Sequence, residues 1–260
     1  MGRTVAMISD FSYSDNYVGI MKGVIRSISH FADIIDITHG VEPGNIQSAA
    51  YSLGSAYKFF PKNTVFLCVV DPKVGTARNA IAIETENYFF VAPDNGILSP
   101  IIKSEKIISS VILNNEKYHL KNKSNTFHGR DIFAPVAAYI SIKVELAELG
   151  EPTTPRCLTI LDDIEPTVND DGVSGKIIHI DSFGNLVTNV NADDLKKKDI
   201  RILVADYEIN GISNTYADVK ENELLAYIGS SGMIEIASNK ANAKQITGSK
   251  NGSTILISYL

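Results

Sequence analysis

Cysteine is scarce in this chain. Cys68 and Cys157 are the only two, and they make neither a disulfide framework nor a zinc-ligand spacing. Cys68 lies in the apolar run Val65-Phe66-Leu67-Cys68-Val69-Val70 and reads as a small core hydrophobe, which fits a reducing compartment. Long apolar runs are missing too. None reaches the roughly 18 residues that a membrane span needs. The first, Val5 to Ile8, is too short for a signal peptide, and Ala6 stands where a myristoylation signal needs Ser or Thr. A cytoplasmic address is expected. Positive charge is in deficit: 24 Lys and Arg against 30 Asp and Glu give a net charge of -6. Such a chain is a poor non-specific binder of nucleic acid or anionic membrane, although a cationic small molecule is not excluded. The histidines His30, His39, His119, His128 and His179 form no HExxH and no close pair, so no metal is expected. The phosphate loop, the GxGxxG turn and the GxSxG nucleophile elbow are all absent.

What is present is ordinary globular material, 44% hydrophobic and 21% charged. A length of 260 residues allows one large domain or two modest ones. The first half alternates strand-like and helix-like segments. Strands are expected at 4–9, 34–37, 64–70, 80–85, 88–92 and 109–113. Helices are expected at 15–29, 46–60 and 131–142. Val18, Met21, Ile25 and Ile28 fall on one face of the first helix, and Ser14 or Asp15 can cap it. Pro61 stops the second helix, and Pro135 is tolerated in the first turn of the third. The strand at 64–70 is apolar throughout, as when helices cover both faces of a parallel sheet. This alternation predicts an α/β layer fold with a largely parallel central sheet.

After Gly150 the texture changes. Glu151 to Pro155 reads as a linker. Short strand-like runs follow at 175–180, 186–190, 200–204, 224–228, 233–237 and 254–258, punctuated by Gly, Asn and Ser. They predict a smaller all-β, barrel-like C-terminal domain. The boundary is placed near residue 165, giving domains 1–165 and 166–260.

Polar clusters stand at the expected strand ends, where open α/β sheets gather their ligands. They are Ser9-Asp10-Phe11, Asp36-Ile37-Thr38-His39, Asp71-Pro72 with Arg78 beyond, Pro93-Asp94-Asn95-Gly96, and Thr126 to Asp131 before a helix. Each has a plainer reading as well. Asp10 can be a turn residue or cap, Asp71-Pro72 a tight turn, Arg78 a surface ion pair, His128 a loop residue and Asp131 a helix cap. Composition and periodicity stop at an α/β plus β protein with a polar strand-end site.

These clusters, in this order, resemble the family of S-adenosylmethionine hydroxide adenosyltransferases, to which the halogenating fluorinase and chlorinase are related. The stretches that carry the resemblance are 8–11, 17–24, 35–39, Val69-Val70-Asp71-Pro72, Val74-Gly75-Thr76, 92–96, Thr126-Phe127-His128-Gly129-Arg130-Asp131 through Ala137, Asp181-Ser182-Phe183-Gly184-Asn185 within 180–189, and Ser230-Ser231-Gly232. They span nearly the whole chain. The resemblance implies an α/β domain followed by a β-barrel domain. It also implies a homotrimer whose sites lie between one subunit's N-terminal domain and a neighbour's C-terminal domain.

The implied reaction is hydrolysis of S-adenosylmethionine to adenosine and methionine, with no cofactor. The implied catalytic residues are Asp71, Arg78 and His128. Asp10 is implied to hold the ribose hydroxyls, Phe183 and Asn185 the adenine, and Asp181 and Ser230 the methionine end. Phe11, Asn95, Phe127, Gly129 and Ser231 are implied as further substrate contacts. In the halogenating relatives Tyr stands at the position of Asp71, Ser or Gly at that of Gly129, and in fluorinase Trp at that of Gly44. An aspartate repels an incoming halide, so Asp71 favours water. Two departures stand out: Lys73 where glycine is common, and a polar stretch from Ser238 to Gly248. The alternatives are a halide-using adenosyltransferase of the same family and a non-catalytic binder of S-adenosylmethionine or adenosine.

Overall fold

Val5–Ser9 is a run of five buried residues, and it forms strand β1, one in from the edge of a seven-stranded sheet. The computed structural model describes residues 2–162 and 165–260. It divides into two units, one ending at Leu161 and one beginning at Asp162. The expected boundary near 165 adjoins residues 163 and 164, which lie outside the described residues.

In the first unit β1 is followed by helix α1 (Tyr17–Ile28), β2 (Ile34–Thr38), α2 (Ile46–Ala56), β3 (Val65–Val69), β4 (Ala80–Thr85) and β5 (Phe89–Pro93). Then come α3 (Ser99–Ser104), β6 (Ile107–Ile112), a π-helical turn (Gly129–Phe133), α4 (Ala134–Ser141), α5 (Leu146–Leu149) and β7 (Glu151–Pro152). Helix α1 buries Val18, Met21 and Ile25 as its spacing requires. The expected caps are not used: the chain enters α1 through Asn16, without a side-chain capping bond. Helix α2 is capped by Asn45, whose Oδ1 accepts from the Ser48 N–H at 3.0 Å.

The sheet order is β2-β1-β3-β5-β4-β6-β7. The pairs from β2 to β5 are parallel, and those from β5 to β7 are antiparallel. The sheet is therefore mixed, which corrects the expectation of a largely parallel one. The turn at Glu86 and Asn87 is too short for a crossover connection, so β4 and β5 can only form a hairpin. The expected linker is also corrected, since Glu151 and Pro152 pair with Ile112 and Val111 as an edge strand, a place where proline's missing N–H is tolerated.

Both faces of this sheet are covered. Val5, Met7, Leu67 and Val69 meet Met21, Ile25, Phe133 and Val136 on the side of α1 and α4. Ala6, Ile8, Phe66 and Cys68 meet Ala49, Leu53 and Tyr57 on the side of α2. That is why the central strands read as unbroken apolar runs rather than alternating ones.

The second unit holds β8 (Thr167–Val168), β9 (Gly172–Ile180), β10 (Leu186–Asn191), β11 (Ile200–Val204), β12 (Tyr207–Asn210), β13 (Leu224–Ile228), β14 (Met233–Ser238), α6 (Ala243–Thr247) and β15 (Thr254–Tyr259). Its strands pair antiparallel in the order β12-β11-β15-β9-β10-β14-β13, with β8 added on β9. A bridge from Ser213 to Tyr227 brings the chain beyond β12 against β13, so the sheet curls into a nearly closed barrel. Strand β11 alternates buried and exposed residues, the mark of one face packed inward. The polar stretch 238–248 is ordered as α6, capped by Asn242 at its start.

Candidate active site

The strand ends of the first unit converge on Asp71, which follows β3. Because β4 runs antiparallel to its neighbours, the residues just before it lie at this same edge, and Arg78 is among them. Arg78 Nε donates to Asp71 Oδ1 at 3.1 Å and to Oδ2 at 2.9 Å, and its Nη2 donates to Oδ2 as well. Only 7% of the Arg78 side chain and 5% of the Asp71 side chain are exposed, so this is not a surface ion pair. The guanidinium stacks 5.2 Å from the centre of the Phe133 ring, presented by the π-helical turn. Lys73 is exposed and leaves this pair alone.

Arg78 Nη2 also donates to His128 Nδ1 at 2.9 Å. Arginine is a donor only, so Nδ1 carries a lone pair and neutral His128 carries its proton on Nε2. Burial, and then the neighbouring Arg78 cation, hold the His128 imidazole below its ordinary pKa. The loops bearing Arg78 and His128 meet at Gly75. Its φ is +77°, and a Cβ there would lie 2.3 Å from the Asn125 carbonyl oxygen. Only glycine allows the 71–79 loop to press this closely on the segment leading to His128.

Asp71 and His128 line a small cleft with Asp10, Phe11, Phe127 and Gly129. Asp10 Oδ2 accepts from the Gly44 N–H at 2.8 Å. Burial pushes the Asp10 carboxyl above its ordinary pKa, against the pull of that hydrogen bond. Phe11, Tyr17 and Phe127 form an aromatic cluster with ring centres 5.2 to 5.8 Å apart. At Gly129 a Cβ would meet Met21 Sδ and the Phe127 ring, each at 3.2 Å, so even a methyl group would crowd this wall.

In the second unit the 181–185 loop is wound around Asp181. Its Oδ1 accepts from the N–H groups of Phe183 (2.9 Å) and Asn185 (2.8 Å), and Oδ2 accepts from Asn185 Nδ2 at 2.8 Å. Gly184 has φ +87° and lies directly against Asn242. The loop is thereby fixed while the Phe183 ring stands 78% exposed. Ser230 and Ser231 occupy the turn between β13 and β14, Ser230 exposed and Ser231 half-buried.

The sequence matches the model of the SAM hydroxide adenosyltransferase N-terminal domain over residues 5–150 and that of the C-terminal domain over residues 175–256. The chain belongs to the SAM hydroxide adenosyltransferase family. It is 31% identical to a Thermus thermophilus protein named (R)-S-adenosyl-L-methionine hydrolase, over 96% of this chain and 97% of that one. A Methanocaldococcus jannaschii protein of the same name is 33% identical, over 93% and 90%. A fluorinase of an Actinoplanes species is 27% identical, over 97% and 96%. Among solved structures, a conserved protein of Thermotoga maritima superposes with a TM-score of 0.89 at 37% identity, covering 98% of this chain and 99% of that one.

Of the residues singled out in the sequence, the first unit brings Asp10, Phe11, Asp71, Phe127, His128 and Gly129 to one cleft, with Arg78 behind Asp71. Asn95 is placed differently. Its Nδ2 donates to the Val70 carbonyl at 2.8 Å and its Oδ1 accepts from the Ile97 N–H, so it braces the end of β3. Asp181, Phe183, Asn185, Ser230 and Ser231 all lie on loops of the second unit. Three contributors went unassigned: Phe133 beneath the guanidinium, the Gly44 N–H on Asp10, and the Thr126 wall of the cleft. Phe133 and Thr126 sit within a stretch that was singled out, but nothing in a sequence shows which ring lies under which cation.

Proposed function

We propose that this chain hydrolyses S-adenosyl-L-methionine to adenosine and L-methionine, in keeping with the name of its relatives at 31% and 33% identity. The observation that carries the reading is the buried Asp71–Arg78–His128 cluster opening on a cleft walled by aromatic rings. A sulfonium is a cation, and the faces of Phe11 and Phe127 together with the Asp71 charge suit it.

The sulfonium is already a good leaving group, so the task is to hold a weak nucleophile in line with the bond to be broken. His128 Nδ1 is occupied by Arg78, so its Nε2–H donates to the water oxygen and aims a lone pair. Asp71 accepts a hydrogen bond from the same water. The water oxygen attacks C5′ of the ribose, the C5′–S bond breaks, and its electron pair leaves on the methionine sulfur. No carboxylate is basic enough to ionise water beforehand, so positioning matters more than basicity. The proton therefore passes to Asp71 during or after attack and then to solvent. The Arg78 cation, hydrogen-bonded to Asp71 and His128, stabilises growing hydroxide character. Attack in line inverts C5′.

Asp10 accepts hydrogen bonds from the ribose hydroxyls. Phe183 stacks on the adenine, Asn185 hydrogen-bonds it, and Asp181 and Ser230 receive the methionine end, with Ser231 beside them. No cofactor is required. The working form is a cytoplasmic homotrimer in which a neighbouring subunit's C-terminal domain supplies the adenine-side loops. The exposed Phe183 ring on its fixed loop supports that assignment, since it leaves an aromatic face free to stack on a base.

Chromatography of S-adenosylmethionine incubated with the protein, with and without chloride, tests the reading. Adenosine in equal yield under both conditions is expected. A chlorinated nucleoside would make the protein a halogenating enzyme, and intact bound substrate would make it a binder.

A further inference from the structure

Beside the cleft runs a second chain of polar groups that the reaction does not touch; it starts at the buried Ser9 and His39 and reaches the surface at Asp36, Lys22 and Tyr13. Ser9 Oγ lies 2.6 Å from His39 Nδ1, and His39 Nε2 lies 3.1 Å from Asp36 Oδ1. Asp36 Oδ2 accepts from Lys22 Nζ at 2.6 Å and from the Tyr13 hydroxyl at 2.8 Å. Serine, histidine and aspartate in sequence resemble a hydrolytic triad, but Ser9 is wholly buried and no substrate carbonyl can reach it.

The direction of every bond in the chain follows from chemistry. A carboxylate only accepts, so His39 Nε2–H donates to Asp36 and His39 Nδ1 is the acceptor. Ser9 must then give its only proton to His39. That leaves the Ser9 oxygen lone pairs for a donor, and the Phe11 N–H supplies one at 3.3 Å. The same histidine holds the loop twice more. Its carbonyl accepts from the Ser12 N–H at 2.8 Å, and its ring packs edge-on against Tyr13 at 5.2 Å. Strand β2 carries an irregularity where this begins, since Met7 pairs with Asp36 but Ile8 with Thr38. Such bulges re-aim the side chains beside them. Residues 9–13 are thus fastened to the end of β2 on both sides of Asp10.

We propose that His39, through Ser9, is the positioning residue that fixes the Asp10–Phe11 segment for ribose recognition. It rests on the reading that Asp10 holds the ribose hydroxyls. His39 orients the serine oxygen, the serine oxygen pins the Phe11 amide, and the amide sets where the Asp10 carboxylate points. Asp36 and Lys22 hold the imidazole in the one tautomer that can do this.

The test is calorimetric binding of adenosine and 2′-deoxyadenosine to the full-length protein and to four variants. A hydroxyl bonded to a carboxylate is worth about 10- to 100-fold in affinity, and the wild type should prefer adenosine by that margin. Asp10→Asn should lose most of that preference. Ser9→Ala and His39→Gln should each cut it several-fold while thermal unfolding stays cooperative. His39→Asn keeps an acceptor near the position of Nδ1 and should retain it. If Ser9→Ala and His39→Gln discriminate like the wild type while Asp10→Asn does not, the positioning role is overturned and the ribose reading stands. If Asp10→Asn still discriminates, the ribose lies elsewhere and both fall. Should His39→Gln fail to fold, Ser9→Ala, which removes a single oxygen, decides the matter alone.

Discussion

Arg78 spends its guanidinium on two partners at once, Asp71 through two nitrogens and His128 through one. A lysine has the charge but not the planar fork. Arg78→Lys is therefore expected to lower kcat about 100-fold, the scale seen when one organised donor is lost from a site, with a smaller change in KM. Steady-state kinetics check this. The same contacts set an acid limit on activity. His128 must be neutral to accept from Arg78, and its pKa lies below 6.5 because of burial and that neighbouring cation. Protonation as pH falls puts two cations together and breaks the cluster. Asp10, whose pKa is raised by burial, must be ionised to play the ribose-holding part proposed for it. Activity should hold at neutral pH, with kcat falling only below pH 6.5 as His128 protonates and KM rising at lower pH as Asp10 does. A pH profile in which kcat declines from above pH 6.5 downward would contradict this. His119 offers a check of a different kind. Both its ring nitrogens are buried without a hydrogen-bond partner among the described residues. His119→Phe removes a desolvated polar group and is expected to stabilise the fold by about 1 kcal/mol in denaturant unfolding.

At the level of elements, the site depends on two loops meeting. Gly75 allows the meeting, and the π-helical turn at Gly129–Phe133 delivers Phe133 under Arg78 while leaving His128 at its mouth; such turns recur at functional sites. Gly75→Ala places a methyl group on the Asn125 carbonyl at positive φ. It should separate Arg78 from His128 and lower kcat more than it lowers the thermal midpoint. Much of this was legible in the sequence. The unbroken apolar run at 64–70, the alternation at 200–204 and the helical spacing of Val18, Met21 and Ile25 each pointed to one kind of element. What escaped was fixed by partners rather than by pattern. The hairpin pairing of β4 with β5 was implicit in the brevity of the Glu86–Asn87 turn. The pairing of Glu151-Pro152 was masked by a composition that suits a linker equally well, and α6 by a stretch too short for helical periodicity. Asp71, Arg78 and His128 were singled out together only through the resemblance. That Arg78 is buried and bridges the other two depends on packing that no spacing encodes.

On the scale of the whole molecule, burial holds four histidines, His39, His119, His128 and His179, below their ordinary pKa. Each binds a proton more readily in the unfolded chain. Each thus contributes stability that is present above about pH 6.5 and lost as pH falls through the folded value. Asp10 and Glu235, raised by burial, act in the opposite sense, with stability lost as pH rises, but that loss sets in from the ordinary carboxylate range at about pH 4 rather than from about pH 6.5. Unfolding free energy from denaturant titration should be lower at pH 5.5 than at pH 7.5; equal or higher stability at pH 5.5 would contradict it. The fold as a whole rests on cores such as that around Phe66, wholly buried among aromatic neighbours. The proposed hydrolysis requires that this architecture deliver water to C5′. Incubation of the protein in oxygen-18 water with S-adenosylmethionine carrying one deuterium of defined stereochemistry at C5′, beside Asp71→Ala, tests that delivery directly. In-line attack by water requires adenosine labelled on its 5′ oxygen from the wild type, with inverted configuration at C5′, and little or none from the variant. Unlabelled adenosine, retained configuration or full activity without Asp71 would contradict it.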